Sequence, residues 1–181
     1  LKEGAEDPLR DARFEVAALT ELETIKSFIE KRDKDFGRTP GLEINDSRRG
    51  LIAEIYLRKI SDVNTAFEEF VAMYQEIKTE EAALAHDMEL KVTFDDGATD
   101  ELLRRSIETG QDAGSLSYQL AKKLEYGLKL VKDRSGVDHF VVTKDAVLDM
   151  DKYINELVKR YYRKEYYAPQ FPDELNRRDS E

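Results

Sequence analysis

The sequence contains few combinations of residues that could bind a phosphate or catalyse a reaction. No G-x-x-x-x-G-K-[ST] string occurs, so the sequence has no P-loop to cradle a nucleotide phosphate. The run VTFDDG, residues 92–97, resembles a strand that ends in acidic metal ligands, yet a strand followed by a turn is the better interpretation without a P-loop before it. No G-x-S-x-G nucleophile motif occurs, and helical i,i+4 pairing explains most of the carboxylates. We therefore expect no independent active site in this chain.

The two histidines give no support for a metal site. His86 and His139 are far apart in the sequence, and neither has further ligands at metal-binding spacing. The sequence contains no cysteine, which excludes disulfides, thiolate zinc sites and cysteine nucleophiles. We expect solvated or capping histidines, no metal ion and no cofactor bound by this chain itself.

The C-terminal run VKRYYRKEYYAPQF, residues 158–171, mixes cations with aromatic rings. This composition is typical of segments that bind single-stranded nucleic acid, where cations contact phosphates and rings stack on bases. Tyrosine and arginine are equally favoured at protein interfaces, and Tyr161 continues an inward-facing helical stripe. We favour a contact with another subunit or partner, and we keep a plain amphipathic helix end and nucleic-acid binding as alternatives. The interface residues predicted are Arg160, Tyr161, Arg163 and Tyr166.

Composition and charge exclude several other classes of protein. The 181 residues carry a formal net charge of -10, so their long-range field opposes binding to nucleic acids or anionic membranes. The apolar runs are too short for a transmembrane helix or a signal peptide. The absence of cysteine favours a reducing compartment, and we expect a cytoplasmic location. Because the sequence begins at Leu1 rather than Met, we also expect it to be a piece of a longer protein.

The first half of the sequence predicts three helices. Thr20 and Glu23 form a capping box, which predicts a helix that starts at Thr20. The stretch from Gly37 to Gly41 interrupts it, and a second helix resumes at residue 46 or 47. Ser61 or Asp62 caps a third helix with a broad apolar stripe, which we expect in the core. The stripe consists of Val63, Ala66, Phe67, Phe70, Val71, Tyr74 and Ile77.

The second half alternates short strands with helices. In LKVTF, residues 90–94, apolar and polar residues alternate, which predicts a half-buried strand. A helix comes next, from about Ala98 to Thr109, and ends at Gly110, and Ser115 caps the helix after it. A second strand is predicted over 137–142, and a last helix from Asp149 or Asp151. These patterns predict a mainly α fold with a small β-sheet, in the α+β class.

The order of several short motifs resembles the end of an AAA+ ATPase. The string EDPLRDARFEVAAL, residues 6–19, is similar to the end of the nucleotide-binding domain in that family. The rest of the chain resembles the small lid domain of ClpX-like unfoldases, above all LKVTFDDGATDELLRRSIETG at 90–110 and the helix and strand after it. The resemblance covers roughly Asp7 to Asp149, apart from an insertion. It implies a helical AAA+ lid-like domain.

The resemblance assigns parts and roles along the chain. Residues 1–18 correspond to the end of the AAA+ large domain or to a linker. Residues 19–158 correspond to the helical lid-like domain, with an insertion around 36–62, and residues 159–181 form a C-terminal tail. Arg13 takes the place of the arginine finger, which stabilises negative charge on ATP in a neighbouring subunit. Gly114 takes the place of the sensor-2 arginine, so the side chain that reaches the nucleotide in the family is missing here. A glycine that only makes a turn explains this position better.

The implied function is that of a lid and oligomerisation domain. It would couple ATP hydrolysis in the parent to remodelling of a protein substrate. ATP and magnesium would bind to the parent, and the partners would be its large domain and neighbouring subunits, with no membrane. The alternatives are a free-standing helical adaptor for protein interactions and, less favoured, an accessory domain that binds nucleic acid.

Overall fold

The computed structural model describes residues 8–32, 39–59 and 62–166. The described residues fold into helices and one two-stranded parallel sheet, which confirms the predicted mainly α class. No helix in these ranges is long and apolar enough to cross a membrane. The elements are α1 (Pro8–Arg32), α2 (Asp46–Lys59), α3 (Val63–Asp87), β1 (Lys91–Phe94), α4 (Asp96–Thr109), α5 (Ala113–Ser135), β2 (His139–Val142), α6 (Lys144–Leu148) and α7 (Met150–Tyr166).

The described residues divide into two compact units. The first lies within Leu1–Thr79 and Thr99–Leu116, and the second within Glu80–Ala98 and Ser117–Glu181. The unit boundaries therefore fall inside α3, α4 and α5. The boundaries predicted at 18/19 and 158/159 fall inside α1 and α7.

The predicted start of α1 at Thr20 is wrong. The helix already runs from Pro8, and proline is well tolerated in a first helical turn because its missing N–H would have no helical partner there. The Thr20 hydroxyl donates to the Val16 carbonyl at 2.8 Å, one turn earlier, so it is an interior residue and not a cap. Ile25 and Ile29 are buried, as the apolar pattern predicted, whereas Phe28 remains 43% exposed.

A buried arginine joins several parts of the first unit. The Arg48 side chain on α2 is only 1% exposed, and its Nε donates to the Asp100 carboxylate of α4 at 2.7 Å. Its Nη1 donates to the Glu43 carbonyl at 2.8 Å, and its guanidinium lies 5.8 Å from the centroid of the Tyr74 ring on α3. The segment predicted as an insertion thus supplies buried core residues: Arg48, Leu51, Ile52, Ala53 and Ile55.

Helix α3 carries the predicted apolar stripe. Asp62 caps it by accepting from the backbone N–H of Asn64 at 2.9 Å and of Thr65 at 3.0 Å, which confirms the second of the two proposed caps. Most of the stripe is buried: Ala66, Phe67, Phe70, Tyr74 and Ile77. The other two members, Val63 and Val71, are half-buried.

The second unit contains the parallel sheet. Lys91 pairs with His139 and Phe94 with Val142, so both predicted strands exist, although β2 begins two residues later than predicted. Val92, Phe94, Phe140 and Val142 are buried, because alternate residues of each strand face the core. Helix α6, between β2 and α7, was not predicted.

Two helix starts differ from the sequence prediction. Helix α4 begins at Asp96 because Asp95 caps it, accepting from the Ala98 N–H at 2.7 Å. Helix α5 begins at Ala113, and its cap is Asp112 instead of the predicted Ser115. Ser115 is the donor, since its backbone N–H lies 2.6 Å from a carboxylate oxygen of Asp112. Gly110 stops α4 as predicted, with a positive φ of 70° that glycine adopts without steric cost.

Replacing Phe70 with alanine should strongly destabilise the protein. Phe70 has 0% exposure, and deleting a buried phenylalanine ring typically costs about 3–5 kcal/mol. Thermal denaturation followed by circular dichroism measures the shift in midpoint. Phe28→Ala is the matched control, because the same atoms are removed from a site that is 43% exposed. A Phe70→Ala protein that melts like the parent but loses a binding partner would make this stripe a binding face.

Candidate functional site

The first candidate site is the connection between α4 and α5, residues 110–112 with the start of α5, and it lies in the first unit. We call it the α4–α5 joint. Gly114 is the second residue of α5 and is buried, so no side chain leaves the helix at the sensor-2 position. The Glu76 carboxyl group of α3 accepts hydrogen bonds from the backbone N–H groups of Ala113 and Gly114. An acidic side chain of this chain therefore occupies the place at the helix start where free N–H groups would attract a phosphate.

A second carboxyl group meets Glu76 at this joint. Asp112 forms a hydrogen bond with Glu76, and it also caps α5 through the Ser115 N–H. Since a carboxylate can only accept, a hydrogen bond between two carboxyl groups requires a proton on one of them. The two carboxyl groups can therefore form this hydrogen bond only at a pH at which one of them is protonated.

The pKa shifts of the two groups have opposite signs. Burial raises the pKa of Glu76 above its usual value, and the negative charge of Asp112 raises it further, while the N–H groups of Gly114 and Ala113 act in the opposite direction. Hydrogen bonds from the Ser115 backbone and side chain hold the pKa of Asp112 below its usual value. As the pH falls, Glu76 therefore binds a proton before Asp112 does.

A cavity of about 330 Å³ lies beside the joint. It is lined by the apolar residues Ile55, Met73 and Ile107 and by the two acidic residues, Glu76 and Asp112. Lys59 also lines it, but Lys59 forms an ion pair with Glu69. Among the described residues, no group of three or more histidine, aspartate or glutamate side chains is arranged to hold a metal ion.

The second candidate site is a groove between β2 and α7, in the second unit. Its volume is about 360 Å³, and it contains two of the four predicted interface residues, Arg160 and Tyr161. Arg160 is exposed and Tyr161 is half-buried. The Tyr153 hydroxyl donates to the Val141 carbonyl at 3.0 Å, and burial raises the pKa of this hydroxyl. We call this surface the β2–α7 groove.

The remaining predicted site residues have no described side chain. Arg13 lies in α1, and Arg163 and Tyr166 lie in the last turns of α7, but their side chains are outside the described residues. His139 hydrogen-bonds to the Thr93 hydroxyl at 3.0 Å across the sheet, and His86 is exposed in the last turn of α3.

Sequence reasoning missed Glu76 as a functional candidate. It lies on a helix rich in acidic residues, and nothing in its neighbourhood along the chain distinguishes it from the other glutamates of α3. Asp112 had a local signal, because aspartate directly before an apolar helical repeat is a common cap.

The comparisons with known proteins add no relative: no family model, no curated protein and no solved structure matches this chain.

Replacing Glu76 with glutamine should stabilise the protein at neutral pH. Because the pKa of Glu76 is raised on folding, its contribution to stability is complete below the pKa of the unfolded chain and is lost as the pH rises through the folded pKa. Glutamine cannot ionise, accepts from the same N–H groups and donates an amide hydrogen to Asp112. The gain at pH 7 should be up to about 1 kcal/mol, the size of one hydrogen bond.

Thermal midpoints from pH 4 to pH 8, in steps of about one unit, measure this difference. The advantage of Glu76→Gln should shrink towards the acidic end, where Glu76 is protonated in the parent as well. Glu68→Gln is the control, since it removes the same charge from an exposed position on α3. A Glu76→Gln protein that is less stable than the parent at pH 7 would show that the joint needs the negative charge.

Proposed function

We propose that this chain is the lid and oligomerisation domain of an AAA+ ATPase. In this role it couples ATP hydrolysis in the parent protein to remodelling of a protein substrate. The carrying observation is the order of elements from β1 to β2: strand, acidic helix cap, helix, Thr-Gly stop, helix and strand, with the two strands paired in parallel. This is the order on which the resemblance to ClpX-like lids rests.

The joint at Gly114 defines how such a lid would differ from the family pattern. Nucleotide sensing through an arginine needs a cation that reaches the phosphates, and this position has no side chain. Glu76 also places negative charge at the start of α5, which repels a phosphate at short range. Coupling in this chain would therefore depend on packing: nucleotide binding in the parent moves the lid as a lever, without a direct contact from α5 to ATP.

Packing within the first unit supports a lever. Arg48, Asp100, Tyr74 and the carbonyl of Glu43 connect three helices and the segment before α2 through buried polar contacts. Such contacts have a strict geometry, because a buried guanidinium that loses a partner remains desolvated and unpaired. A unit held in this way transmits an applied displacement instead of absorbing it.

The partners of this lid would be the parent's large domain and the neighbouring subunits, in the cytoplasm. Arg160, Tyr161, Arg163 and Tyr166 would contribute to a subunit contact, with ATP and magnesium bound by the parent. Arg13 would be the arginine finger.

The complete gene product should hydrolyse ATP, and its sequence before Leu1 should contain a P-loop and an acidic Walker B strand. In that protein, Arg13→Ala should reduce the rate of hydrolysis by about 10³-fold or more while leaving ATP binding intact, as expected for an arginine finger. Steady-state ATPase assays and nucleotide titrations separate the two effects. Arg10→Ala, one turn earlier on α1, is the control. An initiator methionine directly before Leu1, or full hydrolysis in Arg13→Ala, would contradict the proposal.

A free-standing adaptor for protein interactions is the second candidate. The observation that favours it is the β2–α7 groove, in which Val141 is 47% exposed beside Arg160 and Tyr161. Exposed apolar and aromatic residues around an arginine are typical of protein interfaces. An adaptor would bind its partner with the same affinity in the presence and absence of ATP, whereas the lid of an ATPase would change its contacts.

The chain should not bind single-stranded DNA or RNA at physiological salt. Its charge of -10 repels phosphates, and Tyr161 is half-buried instead of free for stacking. If Lys159, Arg160, Arg163 and Lys164 did contact phosphates, log affinity would fall with log salt by about 0.7 per contact. Fluorescence anisotropy with labelled oligonucleotides provides the measurement. Submicromolar binding that disappears in Arg160→Glu with Arg163→Glu would replace the interface interpretation with nucleic-acid binding.

A further inference from the structure

The outer edge of β2 presents an unpaired backbone donor. The Lys91 N–H donates to the Asp138 carbonyl at 2.8 Å, and the Asp95 N–H to the Val142 carbonyl at 3.0 Å. Backbone groups of a strand alternate in direction, so the N–H and carbonyl of Val141 point away from β1. The Tyr153 hydroxyl binds that carbonyl, whereas no described group accepts the Val141 N–H.

On the outer edge of β1 the equivalent backbone N–H has a side-chain acceptor. The Phe94 N–H donates to the Glu81 carboxylate at 2.6 Å, so a side chain of the same unit caps this edge. On β2 the equivalent donor is the N–H of Val141, a residue that lines the β2–α7 groove and is 47% exposed. An unpaired strand N–H beside an exposed groove is a group to which the backbone of an extended segment can hydrogen-bond.

Charge varies along the groove. Arg160 lines it near the C-terminal end of α7 and forms no ion pair with any described residue. Asp145 and Asp149 line it before the start of α7, whereas Glu156 lies within α7, four residues before Arg160, and Lys152 lies between Asp149 and Glu156. At 1.5 Å per residue, Arg160 lies about 16 Å along α7 from Asp149. An occupant that matches the groove would be acidic at one end and basic about 16 Å further on.

We propose that residues 167–181 of this chain fold back after α7 and occupy the β2–α7 groove, where a backbone carbonyl of the segment accepts the Val141 N–H of β2. The sequence of this segment is YAPQFPDELNRRDSE. Asp173 and Glu174 would meet Arg160, and Arg177 with Arg178 would meet the carboxylates near the start of α7. Such docking requires only this chain and would hold whether or not it is an AAA+ lid.

The length of the segment is sufficient. A chain that reverses after Tyr166 must travel about 20 Å back along α7 to reach the level of Tyr153. Residues 167–181, fully extended, can span about 50 Å. Enough chain therefore remains for a reversal, and Pro169 and Pro172, which cannot continue a helix, lie where the reversal would occur.

The order of charges agrees with this path. The segment reaches the Arg160 end of the groove first, and its acidic pair, Asp173 and Glu174, precedes its basic pair, Arg177 and Arg178. Four residues of extended chain cover about 13–14 Å, close to the distance from Arg160 to Asp149. Docking would also cover Arg160, so the tail and a subunit partner would compete for the same surface.

Amide hydrogen exchange of Val141, followed by NMR on the full chain, tests the proposal directly. In the unmutated full chain the Val141 N–H should be protected, although no described group accepts it. Ending the chain after Tyr166 should remove this protection, and adding a synthetic peptide of residues 167–181 should restore it. In the full-length chain, Asp173→Lys with Glu174→Lys should accelerate exchange several-fold, and adding Arg160→Glu should return it towards the parent value.

The control for charge alone is Asp179→Lys with Glu181→Lys, which makes the same change in net charge beyond the acidic pair. It should leave the exchange rate of Val141 unchanged. Equal Val141 exchange in the parent and in the chain that ends at Tyr166 would overturn the proposal, as would a peptide that shifts resonances outside the groove. Protection that rises with protein concentration would also overturn it, because a second copy would then cover the edge.

Discussion

The buried guanidinium of Arg48 is the interaction on which the first unit depends. A charge removed from water must have a counterion and hydrogen-bond acceptors at fixed positions, because an unpaired buried charge costs several kilocalories per mole. Here Asp100, the Glu43 carbonyl and the Tyr74 ring meet this requirement, and they come from α4, the segment before α2, and α3. The hydrogen bonds and contacts that one arginine side chain requires therefore fix the positions of three separate parts of the sequence.

Acidic side chains at helix starts are the second recurring feature. Asp62, Asp95, Asp112 and Asp149 each accept a backbone N–H in the first turn of α3, α4, α5 and α7, respectively. Each carboxylate satisfies a donor that has no helical partner and interacts favourably with the helix dipole. Part of the strongly acidic composition thus has a local structural purpose. The start of α5 has a second carboxyl group, that of Glu76, at the position where a phosphate-sensing domain would need positive charge.

The two candidate sites support different parts of the proposed function. The α4–α5 joint is occupied by its own side chains, which is consistent with a lever that follows nucleotide chemistry without contacting it. The β2–α7 groove is lined by charged residues and by the exposed Val141, which suits a protein segment. Subunit contact and tail docking would use the same surface there, so the second unit would contain a contact that the chain itself can cover.

Features that depend on neighbouring residues could be predicted from the sequence. Alternation in residues 90–94 predicted β1, the apolar repeat predicted the core face of α3, and Gly110 predicted the end of α4, because each signal comes from local backbone geometry. Local signals also misled, since Thr20 resembles a cap but lies inside α1, where an upstream proline start was equally compatible with the pattern. The contact of Arg48 with Asp100 and the position of Glu76 at the start of α5 follow from the packing of the helices, and no local pattern predicts them. Those contacts join residues far apart in the chain, and burial and charge select them only once the helices have packed.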